Sequence, residues 1–525
     1  MTGTSPVAGE ALRPQMGERA FMPQSPVPVF EAGDEISAET SVVVILRTAE
    51  AGFGPRATAL DAEMHGVLSR ACSDPTALAE SGACVDVIAP EGASVRRVIV
   101  LSLGNADAVT PLSLARAGGL LAAHLEVRGE CAATLVLDPI AGVDLSPAEI
   151  LARVALGMRL RRYRFDMRNR RQGAGSDRTL RVQLIGASGA ELTPALARIN
   201  AIADGVEYAR TLVNLPPNHL HPDSFQDHLE PLREAGIDVE ILDTARLKEL
   251  GMNAILAVGS GSARPPRVAV LRYRGKGSPA QPMAFVGKGV CFDSGGLCIK
   301  RGEQMFDMKA DMGGAAAVVG LLIALARQGS PAHAVGVLGI AENMPSGTAL
   351  KPRDIVTTAS GQTVEVFDTD AEGRLILADC LYYAASRFNP SVIVDLATLT
   401  YSVMRGLGSV FAGLFSTDDA VASRMIAAGE KVGERFWRLP LDRAYDEGLQ
   451  SPFADIRHHA KDMEDGDAPY AAAFLRHFTE DRPWVHLDIA GKEMADADRP
   501  LGREGATAFG VQMLEEWVQS GRGKN

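Results

Sequence analysis

The alternation of short apolar runs with segments of helical periodicity constrains the fold of this chain more than any other feature. Four apolar runs in the N-terminal part predict strands, at residues 41–46, 96–103, 133–138 and 180–186. Helical spacing of apolar residues occurs between these runs, at 111–126 and 147–162. Strands that alternate with helices in this way predict an α/β fold with a largely parallel sheet and helices on both faces.

A predicted helix at 193–212 separates this series from a second one. It ends before the paired prolines Pro216 and Pro217, because proline cannot continue a helix. The second series has nearly continuous apolar runs, typical of a sheet buried on both faces, at 283–290, 333–342, 392–397 and 484–491. We therefore expect a flexible tail at 1–38, an N-terminal domain at 39–190, a connecting helix at 191–212 and a C-terminal domain at 213–525.

Composition and charge exclude several classes of protein. Hydrophobic residues make up 46% of the chain and charged residues 22%, which are ordinary globular values, so wholesale disorder is excluded. The net charge of −12 disfavours a general nucleic-acid binder, since phosphates require a basic face. One arginine cluster is a local exception, which we interpret as a solvated helix or an intersubunit face rather than a DNA-binding patch. Its members are Arg159, Arg161, Arg162, Arg164, Arg168, Arg170 and Arg171.

Cysteine usage and hydropathy bear on the compartment. The six cysteines form no C-x-x-C pair and are too few for a disulfide scaffold, which predicts reduced thiols in the cytoplasm. The first residues contain no apolar core, so we expect no secretory signal. The longest apolar run, at 313–326, is shorter than the ~20 residues that cross a membrane, so it predicts a buried helix and no membrane partner.

Polar residues follow the strands of the second series, where open α/β sheets place their sites. Lys288 lies inside an apolar strand, Asp293 follows that strand, and Lys300 comes after a Ser-Gly-Gly turn. Asp311 stands just before the long apolar helix. Taken singly, such a lysine is more often a snorkelling or salt-bridged side chain, and such an aspartate is more often a helix cap.

A second polar cluster consists of Asp368, Asp370 and Glu372 and leads into another predicted helix. Three carboxylates within five residues repel one another unless cations or hydrogen bonds compensate them. One interpretation is a calcium loop with Asp379 at its twelfth position. We disfavour it, because a strand at 363–367 stands where a helix is required and the twelfth position prefers glutamate.

The alternative interpretation joins the two clusters into one metal centre. Two divalent ions ~3.5–4 Å apart would neutralise the carboxylates and hold a water molecule between them. Oxygen-rich sites suit Mn²⁺ or Mg²⁺, and Zn²⁺ competes through its higher affinity. Lys300 and Arg374 would remain charged and face a substrate carbonyl, whereas His486 is interpreted as a core histidine. The ligand set would be Lys288, Asp293, Asp311, Asp370 and Glu372.

These residues stand in motifs that resemble the leucyl aminopeptidase family of two-metal exopeptidases, which includes cytosol aminopeptidase. The matching motifs cover most of the C-terminal half and include VGKGVCFDSGG, ENMPSG, DTDAEGRL, DLATLT and HLDIAG. The resemblance implies a macro-like N-terminal α/β domain and a C-terminal catalytic α/β domain whose mixed sheet is flanked by helices. It also implies a homohexamer that is located in the cytoplasm.

The resemblance further implies roles for individual residues. The five residues of the ligand set would bind two Mn²⁺ or Zn²⁺ ions, with Asp293 and Glu372 bridging both, and Lys300 and Arg374 would be catalytic. The ions would activate a water molecule that attacks the first peptide bond of a substrate with a free N-terminus. A bicarbonate ion held by Arg374 would carry the proton. The implied biological role is intracellular peptide turnover.

The predicted substrate pocket departs from the family pattern. The resemblance places four residues around the first side chain of the substrate, namely Met308, Thr398, Leu399 and Tyr401. The family usually has glycine at the position of Tyr401, and a tyrosine buries ~150–250 Å², so we hypothesise a weakened preference for N-terminal leucine. The alternative is that Tyr401 packs between subunits and that the unusual Lys492-Glu493 pair faces water.

Two further departures and two further functions stay open. Asp368 replaces an asparagine and is expected to support the metal ligands, and segment 466–474 replaces a Gly-Gly-Ala step with no expected effect on catalysis. A non-catalytic DNA-binding regulator is disfavoured by the net charge. A two-metal phosphoesterase would share the ion chemistry but is disfavoured by the whole set of motifs.

Overall fold

The computed structural model describes residues 26–36, 40–91, 93–168, 178–460 and 466–521. The described residues form two compact units. The first contains the residues up to Ala203 together with Asp496–Glu504, and the second contains Asp204–Ala495 and the residues from Gly505 onward. Most of the tail predicted at 1–38 lies outside the described residues.

The N-terminal unit is built on a six-stranded sheet. Its strands are β1 (Val29–Ala32), β2 (Val42–Arg47), β3 (Cys84–Ile88), β4 (Arg97–Ser102), β5 (Ala132–Leu137) and β6 (Arg181–Ile185). Its helices are α1 (Pro55–Glu63), α2 (Val67–Ala71), α3 (Pro111–Val127) and α4 (Pro147–Arg162). The strand order is β1-β6-β5-β2-β4-β3, and every neighbouring pair is parallel except β3 with β4. The predicted α/β architecture is confirmed.

Local sequence explains several of these elements. All residues of β2 from Val42 to Leu46 are buried, as expected for a strand that is covered on both faces. Helix α3 begins at Pro111 behind a capping box. In that box the Thr110 hydroxyl accepts a hydrogen bond from Ser113 N, and the Ser113 hydroxyl accepts one from Thr110 N. Proline and the capping residues therefore determine where this helix starts.

Helices α3 and α4 approach each other closely because glycine stands where they meet. A Cβ atom at Gly118 would lie 2.0 Å from Val154 O, and one at Gly157 would lie 1.7 Å from Ala115 O. Neither position can hold a larger residue unless the backbone moves. The close packing of this helix pair therefore depends on the two missing side chains.

The predicted tail is corrected in one respect. Residues 29–32 form strand β1, which pairs in parallel with β6 at the edge of the sheet. The strand has only four residues, and its side chains are half-buried or exposed. Such a segment lacks the apolar run by which the other strands were predicted, so local pattern could not reveal it.

The arginine cluster is corrected in part. Arg159, Arg161 and Arg162 are buried within this unit rather than solvated, whereas the alternative of an intersubunit face stays a prediction. Arg159 donates hydrogen bonds to the carbonyl and the side-chain oxygen of Asn200, and Arg161 pairs with Asp498 at 2.6 Å. Two further members, Arg170 and Arg171, lie outside the described residues. These pairings weaken the DNA-binding interpretation.

Helix α5 (Gly189–Asn214) contains the predicted connecting helix. It ends ahead of Pro216 and Pro217, as the helix-terminating role of proline predicts. The two compact units divide inside this helix, after Ala203. The domain limits proposed from the sequence stay predictions.

The C-terminal unit contains an eight-stranded mixed sheet and two small sheets. Its strands are β7 (Asp238–Leu242), β8 (Arg267–Arg274), β9 (Met283–Asp293), β10 (His333–Asn343), β11 (Ile355–Thr357), β12 (Thr363–Glu365), β13 (Val392–Ala397), β14 (Ala412–Ser416), β15 (Phe436–Arg438), β16 (Ile456–Arg457), β17 (Trp484–Asp488), β18 (Met494–Ala495) and β19 (Gly505–Ala506). Its helices are α6 (Pro222–Leu229), α7 (Thr244–Glu249), α8 (Asn253–Val258), α9 (Gly302–Met305), α10 (Gly313–Arg327), α11 (Glu372–Phe388), α12 (Tyr401–Leu407), α13 (Asp419–Val432), α14 (Ala444–Gly448), α15 (Asp467–Arg476) and α16 (Val511–Ser520).

The order of the large sheet is β15-β14-β17-β13-β9-β10-β8-β7. Its four central strands, from β17 to β10, are parallel to one another, and an antiparallel strand flanks them on each side. The carboxyl ends of the central strands therefore meet at one edge. In open α/β sheets this edge is where functional side chains collect.

Helix α10 packs against the central strands and is buried from Gly313 to Leu325. The segment Gly302–Arg327 has the length and mean hydropathy (1.6) of a membrane span, but 89% of its most apolar window is buried inside the protein. Such burial is typical of a core helix, which is what the apolar run predicted.

Candidate active site

Lys288 occupies the centre of one half of a buried charged cluster. It lies within β9, and its Nζ is 2.8 Å from Asp311 Oδ1 and 2.8 Å from Glu372 Oε1. The amine also donates a hydrogen bond of 2.9 Å to the carbonyl of Thr398, just beyond β13. Asp311 precedes α10 and Glu372 begins α11. Four separate elements therefore supply this half of the cluster.

Lys300 occupies the centre of the other half. Its Nζ is 2.8 Å from Asp293 Oδ2 and 2.6 Å from Asp370 Oδ1. Asp293 is the last residue of β9, and Asp370 lies in the loop that leads into α11. The structure thus brings the whole predicted ligand set together with Lys300 at the end of β9.

The turn after β9 shapes the cluster through its glycines. Gly295 and Gly296 have φ angles of 83° and 63°, in the left-handed region that favours glycine. A Cβ atom at Gly295 would lie 2.8 Å from Asp370 Oδ1, and the Gly295 amide donates to Asp293 Oδ1 at 2.9 Å. Glycine therefore lets the main chain pass directly beside two of the carboxylates.

Asn343, the last residue of β10, connects the two acidic segments. Its Nδ2 donates to Asp293 Oδ1 at 2.8 Å and to the carbonyl of Thr369 at 2.9 Å. Asp368 Oδ1 accepts a hydrogen bond of 2.9 Å from the Asp370 amide, which fits its predicted supporting role. Sequence reasoning did not single out Asn343, although it stands inside the motif ENMPSG.

The carboxylates of the cluster are incompletely compensated. Two ammonium groups face four carboxylates. Burial, together with Asp293 and Glu372, raises the pKa of Asp370 to about 7. Burial opposes the charge of Lys288, but Asp311 and Glu372 outweigh it and raise the pKa of this lysine. The protein groups by themselves therefore hold an excess of negative charge.

This donor set fits divalent cations. One ligand atom each from Asp293, Asp370 and Glu372 lies within 4.8 Å of the others. Among the described residues, no group donates a hydrogen bond to Asp311 Oδ2 or Glu372 Oε2, although both atoms are buried. Buried charged oxygens are unfavourable unless a cation or a donor satisfies them. Carboxylate oxygens are the ligands that Mn²⁺ and Mg²⁺ prefer, and Zn²⁺ accepts them as well.

Arg374 lies in the first turn of α11 and is 1% exposed. Its Nη2 is 2.8 Å from Asp467 Oδ1, and its Nη1 donates to the carbonyl of His458 at 2.9 Å. His459 Nε2 is 3.2 Å from the same oxygen of Asp467. Burial opposes the charge of Asp467, but Arg374 outweighs it and lowers the pKa of this carboxyl.

The partner of Arg374 bears on one sequence expectation. Segment 466–474 was expected to have no effect on catalysis, and this stays a prediction, although Asp467 in this segment contacts a residue predicted to be catalytic. The aspartate begins α15, so its position depends on how that helix docks. The sequence offered no signal for this contact beyond the departure from the family pattern.

A cavity of about 240 Å³ opens onto the cluster. Its walls include the four residues predicted to form a substrate pocket, namely Met308, Thr398, Leu399 and Tyr401. Tyr401 begins α12 and is 38% exposed, and its ring centroid lies 5.4 Å from Lys300 Nζ. That separation allows a cation–π contact. The roles of these residues in substrate binding stay predictions.

The Lys492-Glu493 pair does not face water, contrary to the alternative considered above. Lys492 is 7% exposed and donates a hydrogen bond of 2.5 Å to the carbonyl of Gly408. Glu493 lines the cavity. The sequence marked both residues as unusual, but only the tertiary structure shows that Lys492 is buried and that Glu493 lines the cavity.

Asp379 and His486 settle two further interpretations. Asp379 is buried in α11 and accepts hydrogen bonds from the amides of Ile255 and Ala359, at 3.0 and 2.8 Å. The calcium-loop interpretation is therefore wrong. His486 is fully buried with its Nδ1 2.6 Å from Asp395 Oδ1, so it is a core histidine, as predicted.

Family models match both parts of the chain. The model for the catalytic domain of the cytosol aminopeptidase family matches residues 207–515. The model for the N-terminal domain of the same family matches residues 42–171. Together they cover most of the sequence.

Relatives and solved structures agree with these matches. A probable cytosol aminopeptidase of Agrobacterium fabrum is 44% identical over 487 residues, which is 92% of this chain and 97% of the relative. One of Rhizobium etli is 42% identical over 496 residues, or 94% and 98% of the two chains. A mutant of tomato leucine aminopeptidase matches with a TM-score of 0.83 at 31% identity, over 96% and 98% of the two chains. The bottromycin maturation enzyme BotP in complex with Mn matches with a TM-score of 0.79 at 35% identity, over 92% and 99%.

Proposed function

The chain belongs to the cytosol aminopeptidase family, and on this premise we propose that it is a two-metal aminopeptidase that releases N-terminal amino acids from peptides. Membership makes it a metal-dependent exopeptidase. The observation that carries the two-metal proposal is the gathering of one lysine amine and four carboxylates beside a single cavity.

We assign metal binding to Lys288, Asp293, Asp311, Asp370 and Glu372. Lys288 would bind as the neutral amine, because nearby divalent cations would lower the pKa that the carboxylates by themselves raise. Two bound Mn²⁺ or Zn²⁺ ions supply Lewis acidity that polarises a carbonyl group and lowers the pKa of water. The assignment is supported by the carboxylate oxygens of Asp311 and Glu372 that have no donor among the described residues. The manganese complex of BotP, a relative at 35% identity, supports the choice of manganese.

A bound divalent ion would suit a substrate with a free N-terminus. The lone pair of a free amine can ligate such an ion, whereas the amide nitrogen of a blocked peptide cannot. The small cavity leaves room for one residue and its first peptide bond, as exopeptidase action requires. We propose that Met308, Thr398, Leu399 and Tyr401 contact this first residue, and that Tyr401 narrows its pocket.

Lys300 is proposed to stabilise the developing negative charge on the first peptide carbonyl. Burial opposes the charge of its amine, but Asp293, Glu372 and Asp370 outweigh that effect, raise its pKa and keep it protonated. A preorganised ammonium group aimed at a reacting oxygen donates a hydrogen bond that strengthens as charge develops. Its position beside the cavity and near the Tyr401 ring supports this role.

Arg374 is proposed to act together with Asp467. The family resemblance implies a bicarbonate ion at this arginine. Here Asp467 pairs with Nη2 and the carbonyl of His458 accepts from Nη1. We therefore propose that the carboxylate of Asp467 takes the place of an external anion, which would have to displace it.

We propose that the protein is a cytoplasmic homohexamer that acts in peptide turnover. The proposal is supported by family membership, by the names of its relatives and by six cysteines that form no disulfide. Light scattering tests the assembly, with an expected mass near six times 55.6 kDa. A monomer or dimer at assay concentration would contradict the hexamer.

Hydrolysis of aminoacyl amides tests the proposed function. We expect turnover that depends on added Mn²⁺ or Zn²⁺ and that disappears in Asp370→Ala and in Lys300→Ala. Calorimetric titration with the metal ion should distinguish the two variants by their metal affinity, because Asp370→Ala loses a metal ligand whereas Lys300→Ala keeps the ligand set. Amides acetylated at the α-amine should not react. Metal-independent turnover, or activity on blocked amides, would overturn the proposal.

A further inference from the structure

The cavity contains a carboxylate that the proposed mechanism does not use. Glu493 lies beyond the end of β17 and lines the same cavity as Lys288 and Thr398. Its Oε2 is buried, and among the described residues no group donates a hydrogen bond to this atom. A buried carboxylate oxygen without a partner is unfavourable, so a ligand that brings a donor to it gains binding free energy.

Glu493 lies close to the proposed metal ligands. A Cβ atom placed at Gly313 would lie 3.2 Å from the Cβ of Glu493 and 3.8 Å from the Cγ2 of Thr398. The hydroxyl of Thr398 in turn donates a hydrogen bond of 2.6 Å to Asp311 Oδ1. Glu493 is therefore separated from Asp311 by about one side chain. A peptide whose first residue sits at the cluster would extend that residue's side chain into this region.

The main chain holds Glu493 in place. The Thr507 amide donates to the Glu493 carbonyl at 3.0 Å, and the Thr507 hydroxyl donates to the Lys492 carbonyl at 2.5 Å. Lys492 is fixed to the carbonyl of Gly408. Burial raises the pKa of the Glu493 carboxyl, and backbone amides from Gly491 to Glu493 oppose that rise. The carboxylate is thus preorganised rather than carried on a loose loop.

The surroundings of Glu493 favour a long cationic side chain. Met308, Met404 and Ala490 line the cavity and offer apolar surface to an alkyl stem. Two lysines that line the cavity, Lys288 and Lys300, are each engaged by two carboxylates of the cluster. Arg405 also lines the cavity but is exposed at its mouth. A ligand would therefore reach Glu493 along apolar side chains, and Glu493 has no cationic partner among the described residues.

We propose that Glu493 is a specificity-determining residue that selects peptides with lysine or arginine at the N-terminus. An alkyl stem would pack on the apolar wall, and the terminal ammonium or guanidinium group would donate to the glutamate in a charge-assisted hydrogen bond. This inference rests on the proposed aminopeptidase function and adds its substrate class. It also states which N-terminal residues would be preferred over leucine, whose preference we expect Tyr401 to weaken.

Paired substrates test the inference. Lysine amide and norleucine amide share the same four-carbon stem and differ in the terminal amine, so the ratio of their kcat/KM values isolates the contribution of the charge. We expect the manganese-loaded wild type to favour lysine amide at least 10-fold. Glu493→Gln should lower that ratio at least 10-fold, and Glu493→Leu should make norleucine amide the better substrate. Arginine amide should follow lysine amide.

The controls distinguish the two levels of the proposal. Glu447→Gln removes a carboxylate from an exposed position on α14 and should leave the ratio unchanged. A wild type that hydrolyses no amide with metal present would refute the aminopeptidase function itself. Equal kcat/KM values of the wild type for norleucine amide and lysine amide would refute only the specificity. A ratio that is unchanged in both Glu493 variants would refute it too. Because the ratio compares two substrates on one preparation, partial misfolding of a variant cannot imitate the expected change.

Discussion

Replacing Asp467 tests whether this chain carries its own anion beside Arg374. The Arg374 guanidinium is 1% exposed and contacts the Asp467 carboxylate at 2.8 Å and the carbonyl of His458 at 2.9 Å. In Asp467→Gly the arginine keeps only the neutral carbonyl of His458 as a partner. We expect a loss of stability together with a new sensitivity to small anions.

The magnitude follows from the burial of the pair. Removing one partner of a buried ion pair costs about 3–5 kcal/mol, because the other charge stays uncompensated. The side chain of Asp467 is 23% exposed, so water screens part of its interaction, and we expect about 2–3 kcal/mol for this pair. Asp467→Asn should cost less, because the amide oxygen still accepts a hydrogen bond from the guanidinium.

Urea unfolding and anion rescue provide the assays. The free energy of unfolding should fall by the stated amount with an unchanged m-value. Formate or bicarbonate should restore both stability and kcat to Asp467→Gly, because either anion fits the space that the carboxylate leaves. The wild type should not respond to either anion. Asp496→Ala, at an exposed aspartate, is the matched control and should behave as the wild type does.

Two outcomes would refute this reasoning. If bicarbonate accelerates the wild type as much as the variant, the anion binds despite Asp467, and the proposed replacement is wrong. If Asp467→Gly is as stable as the wild type within about 0.5 kcal/mol, the ion pair contributes nothing measurable, as many exposed pairs do.

Three further predictions concern packing, pH and metal. Gly157→Ala should destabilise the protein by about 3 kcal/mol or more, since its Cβ would lie 1.7 Å from Ala115 O, whereas Gly189→Ala, with open space around it, should be nearly neutral in thermal unfolding. Burial lowers the pKa of His458 from 6.5 to about 4. Between these two pH values the unfolded chain binds more protons than the folded chain, so the free energy of unfolding should fall as the pH drops through this window. His458→Gln should flatten that part of the curve of unfolding free energy against pH, and an unchanged slope would contradict the prediction. Adding Mn²⁺ should raise Tm through binding to the folded state, and Asp311→Ala should abolish most of the rise; an equal rise in the variant would argue against this ligand.

The sequence alone predicted the most apolar strands and several of the long helices, because these depend on local pattern. The apolar runs predicted β2, β4, β9, β10 and β13, since a strand buried on both faces needs apolar side chains at nearly every position. Strand β1 escaped prediction, because its existence depends on pairing with β6 rather than on its own residues. The motifs identified the ligand set through a resemblance and could not supply the distances.

Only the tertiary structure decided which polar residues face the site. Arg161 and Asp498 are 337 positions apart in the chain, and no local pattern indicates that they pair. No local pattern indicates the pairing of Arg374 with Asp467 either, because this contact depends on how α15 packs against α11. Whether Glu493 faces water or the cavity likewise depends on where the chain turns after β17. The physical reason is that periodicity records only whether a residue is covered, whereas the identity of its partner depends on contacts between distant segments that form when the sheet assembles.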